Sequence, residues 1–117
     1  MKRWQLIVFL FILLTLPVTT MAQFVVKELN APGTEPRGVA WDGQYLWCAD
    51  LAKDSLYKID PSSGQILHII PFDFDLTYGG GTTCDGDSAI WVTMRNYFYK
   101  LDAQTGQELA NVHCPGG

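Results

Sequence analysis

The stretch GVAWDGQYLWCADLAKDSLYKIDPSSGQ, residues 38–65, decides the fold, because a diverged copy, GTTCDGDSAIWVTMRNYFYKLDAQTGQ, follows it at residues 81–107. Trp47 aligns with Trp91 at an offset of 44 residues, and the motif YKID aligns with YKLD at an offset of 42. The insertions and deletions fall in polar segments between apolar runs, where a repeated structural unit tolerates them.

Each copy reads as four short strands. GVAW and QYLWCAD flank Asp-Gly, a strong hairpin signal because glycine accepts positive φ at little cost. Alternation along the second strand places Trp47 and Ala49 on one face, and Cys48 and Asp50 on the other. SLYKID and QILHIIPF complete the unit, joined by PSSG, in which Gly64 suits a left-handed turn position.

Four-stranded units repeated every 40–45 residues are typical of a β-propeller. We therefore predict an all-β fold with antiparallel blades over 38–71 and 81–113, and a two-sheet sandwich is the alternative. The segment FVVKELN resembles the fourth strand of each copy, so we predict one extra outer strand over 24–30. The paired tryptophans are expected to pack one blade against the next.

Two blades are fewer than the four to eight that close a propeller ring. We therefore expect the chain to be the N-terminal part of a longer propeller, with the extra strand over 24–29 closing a last blade encoded downstream. Expressed alone, residues 23–117 are expected to aggregate, self-assemble or unfold with weak cooperativity.

The first 22 residues have the anatomy of a secretory signal peptide. Lys2 and Arg3 precede an apolar run, and the segment ends in Thr-Met-Ala. The apolar run is about 11 residues, whereas crossing a bilayer takes about 20. We predict cleavage after Ala22 and a secreted, periplasmic or cell-surface protein that does not span the membrane.

Charge and cysteine content limit the partners, disulfides and metal sites that the sequence leads us to expect. The formal net charge is −4, and the acidic residues are scattered, which argues against nucleic acid as a partner. Cys48 and Cys84 are predicted to be small buried residues without a mutual disulfide, because they belong to different blades. The sequence lays out no set of metal ligands at zinc or calcium spacing, and it indicates no particular cofactor.

The pattern PRGVAWDGxYLWCAD followed by LYKIDPxxGx resembles the NHL-like and YVTN-like group of secreted propellers, a superfamily that includes streptogramin B lyase, gluconolactonase and glutamine cyclotransferase-like proteins. The resemblance covers most of the chain after residue 22, twice. It implies the fold. For the enzymes of this superfamily, the resemblance would imply metal-binding or acidic catalytic residues around the central channel. The segments RGVAW and GGTTC carry no glutamate at the comparable place. No catalytic residue can therefore be carried over to this sequence.

Most polar residues in the motifs are predicted to be structural. Four aspartates that open hairpin turns are expected to bond their own backbone: Asp42, Asp60, Asp85 and Asp102. The segment FDFDLTYGGG, residues 72–81, is expected to pack Phe72, Phe74 and Tyr78 against a neighbouring blade, with a ligand-facing loop as the alternative. His68 has no nucleophile near it in its motif.

Three residues are candidates for ligand contact because they differ between otherwise matching copies. Asp50 ends a second strand whose equivalent in the other copy is Thr93 or Met94. Arg37 precedes the first strand, and Arg95 lies in the second copy's turn between strands two and three. Exposed surface charge is the alternative for all three. The expected function is a binding or scaffold module for a protein or small-molecule ligand, and the alternative is a fragment of a metal-dependent lyase or lactonase-like propeller enzyme.

Overall fold

The computed structural model describes residues 24–115, which form two four-stranded antiparallel sheets. The first sheet contains β1 (Pro36–Trp41), β2 (Leu46–Asp50), β3 (Ser55–Ile59) and β4 (Ile66–Pro71). The second contains β5 (Gly79–Asp85), β6 (Ala89–Met94), β7 (Tyr97–Asp102) and β8 (Glu108–His113). Strands follow each other in space as they do in sequence, and the predicted all-β fold of blade-like sheets is confirmed.

The N-terminal part of the sequence prediction is not addressed by the structure. The predicted signal peptide at residues 1–22 lies outside the described residues. Within residues 24–115, no helix has the length and apolar character needed to cross a membrane.

The strand registers make the two sheets comparable residue by residue. Trp47 pairs with Lys58 across β2 and β3, and Trp91 pairs with Lys100 across β6 and β7. The last residue of β2, Asp50, pairs with the first residue of β3, just as Met94 pairs with the first residue of β7. Met94 is therefore the structural equivalent of Asp50.

Aspartate and glycine shape the turns as the sequence predicts. In the β1–β2 turn, the Asp42 carboxylate accepts the backbone N–H groups of Gln44 and Tyr45 at 2.8 and 2.7 Å. Its other oxygen accepts the Trp47 indole N–H at 2.9 Å. Gly43 has a φ of 103° in this turn, a conformation that suits a residue without a Cβ.

The main core lies between the two sheets. The first sheet contributes Trp47 and Leu56, which are 1% and 0% exposed, and the second contributes Ile90 and Val92. The opposite face of β2 and β3 carries a separate small cluster around Cys48. This division confirms the predicted alternation and buries the large aromatic of the first repeat between the sheets.

Trp91 does not repeat the role of Trp47. It points to the outer face of the second sheet, where it is half-buried and the Lys100 ammonium lies 5.5 Å from its ring centroid. Phe98 and Val112, on the same face, are 38% and 50% exposed. The expectation that both tryptophans pack between sheets is corrected for Trp91, because no third sheet covers this face in the described chain.

The predicted strand over 24–30 stays a prediction. Between residue 24 and β1 the structure gives no strand, because a strand needs a hydrogen-bonded neighbour and the backbone of residues 24–30 has none among the described residues. Phe24, Val25 and Val26 are largely exposed.

The same segment nevertheless lies where the outer strand of a preceding sheet would lie. Lys27 Nζ donates to the Ser62 carbonyl oxygen at 2.7 Å, and Leu29 is the nearest residue above Gly64. Both contacts recur 41 to 42 residues later, between β4 and the β7–β8 turn: His68 with Gln104, at 2.9 Å, and Ile70 with Gly106. Residues 27–29 therefore sit on the first sheet as β4 sits on the second.

Candidate functional site

One end of the two sheets, which we call the link end, collects the β2–β3 turn, the β6–β7 turn and the link from β4 to β5 at residues 72–78. Asp54, in the first of these turns, accepts the Phe72 N–H at its carbonyl and the Leu76 N–H at its carboxylate, at 2.8 and 3.0 Å. The Arg95 N–H reaches the Tyr78 carbonyl oxygen at 3.3 Å. Asp50 pairs with Pro36, next to Arg37, at this end of the first sheet, so the three candidate residues lie at the same end of the two sheets.

On the first sheet the link end is closed by Asp50. Its side chain is 0% exposed, and its two oxygens accept the backbone N–H groups of Glu35 and Lys53 at 3.0 and 3.3 Å. A Cβ at Gly33 would lie 2.3 Å from this carboxylate, so a residue with a side chain does not fit at this position. Asp50 anchors the N-terminal segment and does not face solvent, which corrects its assignment as a ligand-facing residue.

On the second sheet the equivalent place is an open cleft of about 270 Å³. Met94 replaces Asp50, and Tyr97 replaces Ser55. The cleft is lined by the link and by the second sheet: Phe74, Asp75, Met94, Arg95, Tyr97 and Tyr99. We call this the aromatic cleft.

The wall of the aromatic cleft is a continuous row of rings. Phe74 stacks on Tyr99 with 4.6 Å between centroids and 22° between planes, and Tyr97 lies 6.0 Å from Tyr99. Phe72 and His113 extend the row at its two ends, each 4.9 Å from its neighbour. Packing of the link against β7 therefore confirms the expected contact for Phe72 and Phe74, whereas Tyr78 is 71% exposed and does not pack as predicted.

Arg95 sits at the rim of the cleft in an unusual backbone conformation. Its φ is 50°, a left-handed value that costs a non-glycine residue on the order of 1–2 kcal/mol. The guanidinium carbon lies 5.5 Å from the Tyr78 ring centroid. Between residues 24 and 115 the single ion pair is Lys100 with Asp85, so the Arg95 guanidinium has no carboxylate within salt-bridge distance.

Asp75 supplies a negative charge to the same cleft. Its carboxylate accepts both the hydroxyl and the backbone N–H of Thr77. These bonds, with a smaller contribution from the Arg95 charge, hold the pKa of Asp75 below its ordinary value. The cleft is thus lined by a cation, an ionised carboxylate and aromatic rings.

Arg37 lies apart from the aromatic cleft. It is exposed at the start of β1 and borders a shallower cleft of about 220 Å³ on the outer face of the first sheet, with Val39 and Cys48. The structure therefore brings Arg95 to the rim of the aromatic cleft but leaves Arg37 and Asp50 outside it.

Of the remaining turn aspartates, Asp60 and Asp102 bond their own backbone as predicted, whereas Asp85 does not. Asp60 accepts the N–H and hydroxyl of Ser62, and Asp102 accepts the N–H groups of Gln104 and Thr105. These hydrogen bonds lower the pKa of both carboxyls. Asp85 pairs instead with Lys100 at 2.7 Å, and that contact lowers its pKa.

The cysteines and potential metal ligands are dispersed. Cys48, Cys84 and Cys114 are free thiols, the first buried and the others partly buried. Burial, reinforced by the Asp50 charge, raises the pKa of Cys48. Nowhere in the described chain do three histidine, cysteine, aspartate or glutamate side chains gather as a metal site.

Sequence reasoning found one residue of the aromatic cleft as a candidate and missed most of the others. Met94 and Tyr97 differ from their first-copy equivalents, Asp50 and Ser55, and that difference is visible in the aligned repeats. Phe74 was recognised as a packing residue, but its stacking on Tyr99 depends on how the link folds over β7.

Solved structures resemble this arrangement of sheets. Hydrazine synthase of Kuenenia stuttgartiensis superposes with a TM-score of 0.59 at 21% identity, over 80% of this chain and 27% of that one. BamB from Moraxella catarrhalis gives 0.53 at 15% identity, over 70% and 26%. The computationally designed Ika4 protein gives 0.54 at 17% identity, over 83% and 57%.

These similarities define the class of fold. The matched structures are β-propeller proteins, and the two sheets of this chain are propeller-like blades. The chain spans between about a quarter and three fifths of the proteins it matches. Comparison with protein-family models and with curated protein sequences gives no match.

Proposed function

We propose that this chain is a binding module of a secreted propeller related to the NHL-like and YVTN-like group, and that it binds its ligand in the aromatic cleft. Surface loops on a rigid scaffold are the usual place for binding residues. The link end consists of such loops above two well-packed sheets, and pockets lined by rings with a few polar groups are typical small-ligand sites.

The observation that carries this proposal is the difference between equivalent positions of the two sheets. Asp50 and Ser55 close the link end of the first sheet, and a propeller-like blade forms with them. Met94 and Tyr97 leave the second sheet open, and a blade forms equally well. Blade structure therefore does not require an open cleft at this position, so the exposed cleft residues are available for ligand contact.

The scaffold part of the proposal rests on residues 24–30. Because residues 27–29 contact the first sheet as β4 contacts the second, we infer that this segment is the outer strand of a further blade in a complete ring. That blade would supply the missing hydrogen-bonded neighbour. The proposed export is checked by N-terminal sequencing of secreted protein, which is expected to begin at Gln23; an intact, membrane-embedded Met1 form would contradict it.

The binding proposal is tested by converting the cleft to its first-sheet equivalent. The Tyr97→Ser variant removes one ring of the wall and places the residue that β3 carries at that position. We expect small ring compounds such as phenol and indole to shift the NMR signals of cleft residues in the unaltered chain and not in the variant. Lys53→Gln, at the closed link end, is the matched control and is expected to bind normally.

A contradicting result is equally specific. Two results would contradict the proposal: ring compounds that shift signals across both sheets alike, or a Tyr97→Ser variant that binds them as the unaltered chain does. Either result would mean that the cleft is not a ligand site. Tyr97 is 39% exposed, so its replacement is expected to leave both sheets folded.

A further inference from the structure

We propose that the aromatic cleft is specific for an aromatic ring that carries a carboxylate, with the ring stacked on Tyr97 and Tyr99 and the carboxylate bound by Arg95. This inference rests on the proposed function and adds the ligand class. Three features of Arg95 support this role: its position at the rim of the cleft, its charge without a salt-bridge partner and its strained backbone.

The unpaired charge is the first argument. Arg95 lies within the electrostatic range of Asp75, yet the two make no salt bridge in the described chain. The Asp75 carboxylate is turned toward Thr77, and the Arg95 guanidinium lies toward the Tyr78 ring. The planar donor fork of arginine matches a carboxylate in a bidentate geometry, and its donors remain available at the mouth of the cleft.

The backbone of Arg95 is the second argument. At a φ of 50°, asparagine or glycine would fit the β6–β7 turn with less strain. Asn96 follows directly, so the residue suited to that conformation is present one position away. Strained non-glycine residues concentrate at functional sites, and the contact of the Arg95 guanidinium with the exposed Tyr78 ring, at 5.5 Å, leaves its hydrogen-bond donors unused.

The apolar wall selects the remainder of the ligand. Phe74, Tyr97 and Tyr99 pack on one another with centroids 4.6 and 6.0 Å apart, and Tyr97, which is 39% exposed, leaves ring surface for contact with an aromatic ring of the ligand. A sugar acid would bring several hydroxyls for which the cleft offers few polar partners. The Arg95 guanidinium attracts the ligand carboxylate and the Asp75 carboxylate repels it, so the charged group of the ligand is expected beside Arg95 and turned away from Asp75.

The test compares matched probes on the full chain by NMR titration. Phenylacetate is expected to bind at least tenfold more tightly than phenylacetamide, because a hydrogen bond to a charged group contributes about 1.5–3 kcal/mol, which is about 10-fold to 100-fold in affinity. Glucuronate tests the sugar-acid alternative and is expected to bind more weakly than phenylacetate. A peptide with a free C-terminal phenylalanine, compared with its amidated form, distinguishes a peptide terminus from a free acid as the source of the group.

Arg95→Asn separates binding from folding. It relieves the left-handed strain, so the unfolding midpoint is expected to rise, while the preference for phenylacetate over phenylacetamide is expected to disappear. Lys53→Gln removes an exposed cation from the closed link end and is expected to retain the preference.

Three outcomes would overturn the inference: equal binding of acid and amide to the unaltered chain, a preference that survives in Arg95→Asn, or tighter binding of glucuronate than of phenylacetate. In the first two cases, loss of both probes in Tyr97→Ser would still support the cleft as a binding site. Failure of every ring compound to bind would instead contradict the proposed function itself.

Discussion

Equivalent ends of the two sheets have different surfaces. In the first sheet, the buried Asp50 carboxylate binds the backbone of Glu35 and Lys53 and closes the surface. In the second, Met94 and Tyr97 occupy the equivalent positions and leave a ring-lined cleft. The order and pairing of the strands are the same in both sheets, so the loops at this end can differ without changing the sheet.

The faces that carry the two equivalent tryptophans differ as well. Trp47 is enclosed between the sheets, whereas the equivalent Trp91 lies half-buried on a face that the described chain does not cover. The same residue in the same register therefore has a different energetic role, because burial depends on the neighbouring sheet and not on the strand that carries the residue.

The largest expected effect separates the two tryptophans. Trp47→Ala removes a ring that is 1% exposed and is expected to lower the free energy of unfolding by about 3–5 kcal/mol. Trp91→Ala is expected to lower it by about 1 kcal/mol or less. Urea unfolding of both variants measures the difference, and equal losses would show that the outer face is covered in solution.

The next largest effect concerns the closed link end. Asp50→Ala leaves two backbone N–H groups without an acceptor, so we expect a loss of about 2–3 kcal/mol and faster hydrogen exchange at the Glu35 amide. Asp87→Ala, at an exposed aspartate of the β5–β6 turn, is the control and is expected to change neither quantity. Unaltered exchange at Glu35 in Asp50→Ala would show that the N-terminal segment is held by other contacts.

A smaller effect is expected from acid at the β1–β2 turn. Partial burial alone would raise the pKa of Asp42. Hydrogen bonds from Trp47, Tyr45 and Gln44 outweigh this effect and hold the pKa of Asp42 below its ordinary value. A carboxyl with a lowered folded-state pKa stabilises the protein above its unfolded pKa of about 3.9, and this stabilisation is lost as the pH falls through the folded-state pKa.

The corresponding measurement is urea unfolding between pH 2 and pH 7. Asp42→Ala is expected to cost about 1 kcal/mol at pH 7, with the difference from the unaltered chain shrinking below about pH 4. A difference that is constant over this range would mean that the ionised form of Asp42 is not the one that stabilises the turn.

The smallest expected effect is on the rate at which a cysteine thiol reacts. Cys48 is buried in the first sheet with a raised pKa, so in the folded chain it is expected to react with a thiol reagent more slowly than Cys114, because the thiolate is the reactive form. After unfolding without reductant, three thiols are expected to titrate. A single titrating thiol would indicate a disulfide between two of them.

Much of the fold could be predicted from the sequence because its causes are local. The Asp-Gly hairpins, the left-handed Gly64 and the alternation of Trp47 with Cys48 all depend on residues within one or two strands. The repeat then indicated a propeller-like blade, because a four-stranded unit that recurs at this period must bury one sheet face against the next.

The candidate site depended on contacts that no local pattern contains. Asp50 looks like a free charge at the end of a strand, but the Glu35 amide, 15 residues earlier, makes it a buried anchor. Arg95 was identifiable because the copies differ at its turn. Its ring-lined neighbourhood was not, because the 72–78 link folds over β7 and brings Phe74 onto Tyr99.

The sequence by itself determined the strands, their turns and the direction in which each side chain points, since these follow from backbone preferences and the two-residue period of a strand. The tertiary structure decided which of two equivalent tryptophans is buried, which charged residue is an anchor, and where a cleft opens. Those outcomes depend on the packing of segments distant in sequence, and packing assigns different surroundings to residues that the repeat makes alike.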